Sequence, residues 1–133
     1  MSIRVDEYMS IIKTHKDLDI WKRGMKLVEQ VYLETNQLPK EEAFCLTQQI
    51  RRAAISYPSN IAEGGARASH KDFLKFLYIA LGSLSELETQ MTIAQNLKYL
   101  KSGNSLKEIE ILRKMTLNFM KYLSSKNNDA KYI

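Results

Sequence analysis

The sequence predicts an all-α, single-domain, up-down-up-down four-helix bundle. Three observations carry this. Apolar residues recur at steps of three and four along almost the whole chain, which is the spacing of one helix face. Five glycines and two prolines in 133 residues are too few for a turn-rich β protein. The length suits one domain, and the polar breaks between the periodic runs are short, as antiparallel neighbours require.

The first periodic run starts at Asp17. Leu18, Trp21, Met25, Val28 and Tyr32 form its main stripe, and Ile20, Leu27 and Val31 form a second stripe beside it, so this helix is expected to bury a wide face. Asp17 and Asp19 sit where a helix N-terminus favours carboxylates. Leu38-Pro39 closes the segment, because the residue before proline avoids helical dihedrals. Gly24 inside this run costs ~1 kcal/mol relative to alanine, and close approach of a neighbouring helix is the expected compensation.

The second helix is expected from about Glu41 to Glu63, with Leu46, Ile50, Ala53, Tyr57 and Ile61 as its apolar stripe. Pro58 lies inside it, removes a donor and crowds the carbonyl of Ala54, so a kink is expected there. Gly64-Gly65 is expected to supply a left-handed C-cap. Ser69 with Asp72 then resembles a capping box for the third helix. Phe73, Leu77, Ala80, Leu84, Leu87 and Met91 repeat at 4, 3, 4, 3, 4, and Leu74, Tyr78, Ile79 and Leu81 widen the apolar surface. A helix that is apolar on more than one face touches more than one neighbour.

Lys101-Ser102-Gly103-Asn104 is the next break, and Ser105 with Glu108 has the spacing of a full capping box. Leu106, Ile109, Leu112, Phe119 and Leu123 form the stripe of the fourth helix, with Thr116 as its polar member. Residues 15–124 therefore constitute the bundle. Residues 125–133 read as a flexible polar tail, and residues 1–14, with Val5, Met9 and Ile12 at helical spacing, as an N-terminal arm or short helix. The expected core is Trp21, Ile50, Ile61, Phe73, Leu77, Ala80, Leu84, Leu87, Ile109, Leu112 and Phe119.

Composition narrows the function. Hydrophobic residues make up 44% and charged residues 26%, as in ordinary globular domains. The single cysteine, Cys45, excludes an internal disulfide framework and a multi-cysteine zinc or iron–sulfur site. No apolar run approaches the roughly 20 residues that span a bilayer, and Asp6 and Glu7 interrupt the stretch where a signal peptide is basic and then apolar. A cytoplasmic protein without membrane partners is expected. The net charge of +5 is unevenly placed: residues 1–97 hold 12 basic and 12 acidic residues, and residues 98–133 hold 8 and 3. A basic end suits a polyanion partner, or else simply keeps a helix soluble.

The catalytic inventory is thin. His15 lies beside a loop, and His70 falls in the first turn of the third helix. Neither has a second histidine at i+4, so no metal site is signalled. Cys45 reads as a packing residue. Glu63-Gly64-Gly65-Ala66-Arg67 follows a helix and lacks the Lys-Ser/Thr ending of a phosphate loop. No cofactor is expected.

Two patterns carry more. Gln49, Arg52, Ser56, Asn60 and Glu63 recur at 3, 4, 4, 3, and Ser83, Glu86 and Gln90 at 3, 4. These stripes are open to three readings: a structural polar network of Arg52, Ser56, Asn60, Glu63, Ser83 and Glu86, a pair of solvated faces, or a catalytic carboxylate pair. If the network is buried, Glu63→Ala leaves a cation unpaired at ~3–5 kcal/mol. The second pattern is basic. Arg51, Arg52, Arg67, Lys71 and Lys75 bracket the turn between the second and third helices, and Lys114, Lys121, Lys126 and Lys131 crowd the chain's end.

The run Gln49-Ile50-Arg51-Arg52-Ala53-Ala54-Ile55-Ser56, then Pro58-Ser59-Asn60-Ile61-Ala62-Glu63-Gly64, resembles the small four-helix-bundle proteins encoded in intervening sequences of bacterial 23S rRNA genes, often labelled ribosomal. Arg67-Ala68-Ser69, Phe73, Phe76-Leu77, Ile79-Ala80, Gly82-Ser83-Leu84 and Glu86-Leu87-Glu88 continue the likeness in order, and His15-Lys16-Asp17-Leu18 with Trp21 fits its opening. The likeness spans about residues 15–123. It implies a ring-shaped homopentamer and a relation to the accessory variability proteins of diversity-generating retroelements, which bind nucleic acid and a reverse transcriptase. It implies no enzyme activity. The expectation is a non-enzymatic oligomer that binds RNA or DNA through Arg51, Arg67, Lys71 and Lys75, or through Lys114 and Lys121. Arg52 is assigned to the internal network. A protein-binding scaffold without nucleic-acid affinity is the alternative.

Overall fold

The computed structural model describes residues 14–101 and 103–126. They form four α-helices: α1 Asp19–Thr35, α2 Leu46–Gly65, α3 His70–Asn96 and α4 Asn104–Ser125. Short 3₁₀ turns at His15–Asp17 and Lys40–Glu42 precede α1 and α2. Each helix packs on its neighbour in sequence, and α4 closes on α1. This is the expected up-down-up-down bundle, with no strand among the described residues. The expected arm with Val5, Met9 and Ile12, and the tail beyond Lys126, lie outside the described residues.

The core holds Ile50, Ile61, Phe73, Leu77, Ala80, Leu84, Leu87, Ile109, Leu112 and Phe119, all buried. Trp21 differs: it is half-buried and flanks the core, its indole edge-on to the His15 ring at 5.3 Å. The expected main stripe of α1 is displaced for the same reason. Met25 and Tyr32 are exposed, whereas Ile20, Gly24, Leu27, Val31 and Thr35 face inward. The inner stripe runs unbroken at 3- and 4-residue steps only once Gly24 and Thr35 are counted in it, and neither scores as apolar.

Gly24 is there for proximity. A Cβ at that position would lie 2.8 Å from the Tyr57 ring, so the glycine lets α1 settle against α2. Tyr57 is wholly buried, and its hydroxyl lies 2.7 Å from Thr116 Oγ1. Thr116 donates its own proton to the Leu112 carbonyl at 2.6 Å, so Tyr57 is the donor of the pair. Burial pushes the Tyr57 phenol well above the ordinary tyrosine value. A raised folded-state value stabilises the fold below the unfolded-state pKa of about 10 and is lost as pH rises beyond it, because only the unfolded chain then ionises. Tyr57→Phe is expected to cost ~1 kcal/mol at neutral pH. Urea unfolding above pH 10 should show the gap between the two proteins closing. A gap that stays constant to pH 11 contradicts this.

Two terminators differ from expectation. Gly64 and Gly65 do not form a left-handed cap; no glycine among the described residues has positive φ. Both belong to α2, which ends at Ala66 in right-handed geometry. Their role is close approach: a Cβ on Gly64 would lie 2.8 Å from both Phe73 Cδ1 and Phe76 Cβ, and one on Gly65 3.1 Å from His15 Cβ. Ser69 does cap α3, accepting from the Asp72 amide at 3.2 Å. Ser105 and Glu108 do not form a capping box. Gly103 stands at the N-cap of α4, Ser105 Oγ donates to Glu34 at 2.8 Å, and Glu108 is taken by Arg23. The spacing that suits a local box serves instead to bind α4 to α1. Pro58 is buried inside α2, which continues past it.

Candidate functional site

The two polar stripes meet along the α2–α3 seam, and only their small members join. Asn60 Nδ2 donates to the Ser56 carbonyl at 2.9 Å and to Ser56 Oγ at 3.0 Å. Ser56 and Ser83 hydroxyls lie 2.7 Å apart, and Ser83 also reaches the Ile79 carbonyl at 3.2 Å. With the Ser83 proton on that carbonyl, Ser56 donates to Ser83, and a single directional chain runs from the Asn60 amide to the α3 backbone. Hydroxyls of this size let the helices approach while pairing Ser56 with Ser83 and Asn60; Gln90, further along the α3 stripe, takes no part, and its buried Oε1 has no hydrogen-bond partner among the described residues.

The charged members lie outside this chain. Glu63 is exposed and pairs with Arg67 at 3.2 Å, one turn away on the same side of the helix end. Arg52 and Glu86 are exposed and have no ion-pair partner among the described residues. Within one chain, therefore, Arg52, Glu63 and Glu86 are not part of the expected network. An exposed pair such as Glu63–Arg67 contributes only ~0–1 kcal/mol.

Arg51 and Arg52 have exchanged their expected roles. Arg51 folds back over the end of α1: Nε donates to Thr35 Oγ1 at 2.9 Å, and one terminal nitrogen donates to Asn36 Oδ1 at 3.1 Å and the Tyr32 carbonyl at 3.3 Å. Its guanidinium stacks 4.4 Å above the Tyr32 ring. A cation here satisfies a helix C-terminus, so Arg51 is a structural clamp, whereas Arg52 is exposed and has no ion-pair partner among the described residues. The two side chains point about 100° apart on α2, so Arg51, not Arg52, reaches across to a neighbouring helix.

The other expected basic contacts reach solvent. Arg67 is exposed and lies 4.8 Å above the Phe76 ring. Lys71 and Lys75 are exposed on α3, and Lys114 and Lys121 on α4. Lys107, overlooked in the sequence, is exposed too and completes a ridge with Lys114 and Lys121 at intervals of seven. Its signal was present, since seven residues return a helix to nearly the same face. None of these lysines forms an ion pair among the described residues.

The arginines of α1 and α4 hold the flanks of the bundle. Arg23 grips Glu108 with two bonds of 2.8 and 3.0 Å, and the hydrogen bond to Glu108 raises its pKa further, against a smaller effect of burial. Arg113 reaches Glu88 on α3 at 2.9 Å and also bonds Glu110. These pairs fix which sides of α4 face its neighbours, and so leave the lysine ridge outward.

Apolar side chains are exposed as well. Phe44 is 89% exposed and Ile55 is also open, and with Tyr32, Thr47, Arg51 and Arg52 they line a shallow groove of about 370 Å³. On α3, Ile79 and Ile93 face outward on the side of the α2 seam, and Tyr78 on the other. Cys45 is exposed rather than packed, at the start of α2. Among the described residues, no group of three or more histidine, cysteine or acidic side chains could hold a metal. No described helix is long and apolar enough to cross a membrane.

The sequence profile for the 23S rRNA-intervening sequence protein matches residues 16–122. Among solved structures, the chain is similar to a protein of unknown function from the S23 ribosomal protein family of Bacteroides thetaiotaomicron VPI-5482. The two share 21% identity, over 80% of this chain and 95% of that one, with a TM-score of 0.57. That likeness shows a common fold. No curated protein matches.

Proposed function

We propose that this chain, which belongs to the 23S rRNA-intervening sequence protein family, is a non-enzymatic homo-oligomer that binds nucleic acid through its basic outer faces. The observation that carries the reading is the set of exposed lysines on adjacent outer faces that have no ion-pair partner among the described residues: Lys71 and Lys75 on α3, and Lys107, Lys114 and Lys121 on α4. Lysines seven apart on a helix stand about 10 Å from one another, and each can neutralise one phosphate.

Self-association is supported by the exposed isoleucines Ile79 and Ile93 beside the α2–α3 seam and by Ile55 in the adjoining groove, with Arg52 and Glu86, exposed charges that have no ion-pair partner among the described residues. A second copy of the chain covers this face, and head-to-tail contacts of unlike patches close a ring. The pentamer implied by the family resemblance is the count we propose. The α4 ridge lies on a different side of the bundle, so assembly leaves it open and repeats the +5 of each chain around the ring.

The contacts proposed are charge-driven, with Arg67, Lys71 and Lys75 from one side and Lys107, Lys114 and Lys121 from the other. Arg67→Glu with Lys71→Glu is expected to weaken RNA or DNA binding at least tenfold in mobility shifts, and to flatten its salt dependence by about two counterions. The sedimentation coefficient of the protein alone should not change. Wild-type protein that shifts neither nucleic acid at low salt overturns the reading and leaves the protein-binding scaffold in its place.

A further inference from the structure

Gly82 has no structural reason to be glycine. It sits in the interior of α3 with ordinary helical backbone, and a Cβ placed on it meets nothing within 4 Å. Elsewhere in the helices, Gly24, Gly64 and Gly65 each admit a close neighbour. A glycine in an open, exposed helix position makes the helix less stable than alanine would, with no packing return. What it does is leave space. Side chains on a helix lean toward the N-terminus and cover the turn before their own Cα, so a side chain at 82 would lie over residue 78. Residue 78 is Tyr78, 67% exposed.

The surroundings of Tyr78 follow from helix phase and from two contacts across the α3–α4 seam. Glu88 faces Arg113, and positions 81 and 74 repeat that direction at intervals of seven; Tyr78 lies beside both. Phe73 meets Phe119 edge-on at 5.5 Å, so the antiparallel register puts Tyr78 level with the stretch between residues 113 and 119. Leu117, 48% exposed, lies in that stretch. Lys75 and Lys71 are one and two turns before Tyr78, and Lys114 and Lys121 stand one turn to either side of Leu117. A bare aromatic face and an apolar floor are thus cornered by four exposed lysines.

From this juxtaposition we propose that Tyr78, uncovered by Gly82, is a stacking platform for an unpaired base, and that the ligand of the basic face is single-stranded nucleic acid. An unpaired base offers a π-face to stack on the ring, whereas in a duplex those faces are already covered. The lysines take the flanking phosphates and read no sequence. The inference rests on the nucleic-acid reading above and deepens it.

The test uses the full chain and fluorescence anisotropy with two labelled probes, an oligouridine and a short RNA duplex, at low salt. Tyr78→Ala is expected to weaken oligouridine binding about tenfold or more and to leave duplex binding within about twofold, which a purely electrostatic role would not do. Tyr78→Phe should retain the wild-type preference. Gly82→Leu should weaken oligouridine binding similarly while making α3 more stable, so its effect cannot arise from unfolding. Wild-type affinity for oligouridine in both Tyr78→Ala and Gly82→Leu overturns the stacking site and leaves the charge-driven reading standing. Dissociation of the oligomer by Tyr78→Ala overturns it too and assigns the ring to a subunit interface. Wild-type protein that binds neither probe brings down both readings together.

Discussion

Replacing Leu84 by alanine is expected to lower the unfolding free energy by ~2–5 kcal/mol. Leu84 is fully buried near the middle of α3, one turn from the equally buried Ala80 and Leu87. Truncation removes the transfer energy of the leucine and leaves a cavity that rigid helices close only in part. Urea denaturation at fixed protein concentration measures the loss, since the proposed self-association would make stability depend on concentration. A loss under about 1 kcal/mol would mean that α3 does not present this heptad to the core.

Gly64→Ala is expected to be nearly as damaging, at ~2–3 kcal/mol, even though alanine is the better helix former by ~1 kcal/mol. The added methyl would stand 2.8 Å from Phe73 Cδ1 and from Phe76 Cβ. Phe73 is wholly buried, and a Cβ cannot move without its backbone, so α2 and α3 must separate. Gly82→Ala is the matched control: with open space at that position it should stabilise α3 by up to ~1 kcal/mol. Opposite signs for the same substitution, read by thermal or urea unfolding, are the expected outcome. Equal effects contradict the packing described at Gly64.

The bundle was legible because apolar periodicity survives without knowledge of neighbours. Phe73 to Met91 repeat at 4, 3, 4, 3, 4, and every one of these stripe positions is buried. What escaped was whatever depends on which helix lies opposite. In α1 the inward stripe passes through Gly24 and Thr35, so counting hydrophobic residues favoured the neighbouring stripe that ends at exposed Tyr32. At Gly64-Gly65 the glycines read as a cap because turn chemistry is local, whereas their function is to admit Phe73 and Phe76. Ser105 and Glu108 had the right spacing for a box but found Glu34 and Arg23 across the bundle.

The polar features divide along the same line. Ser56, Asn60 and Ser83 could be paired from their spacing, since small polar groups at core-like positions need partners. The charged residues at the edges of those stripes could not, because a shift of 100° decides between a half-buried clamp and a solvent-facing cation. Arg51 and Arg52 show this most plainly. Lys107, Lys114 and Lys121 were visible as a heptad ridge in the sequence, but only the pairing of Glu108 with Arg23 and of Arg113 with Glu88 fixes that ridge outward.

In the proposed function, an oligomer of this bundle carries nucleic acid on its lysine faces. Sedimentation velocity of a labelled single-stranded RNA, followed by the label alone, tests it most directly. At about 50 mM salt the RNA should sediment with a protein oligomer, and it should return to its free rate as salt is raised through about 200 mM, because each phosphate contact releases a counterion. RNA that sediments as the free strand in the presence of excess protein at low salt contradicts the account.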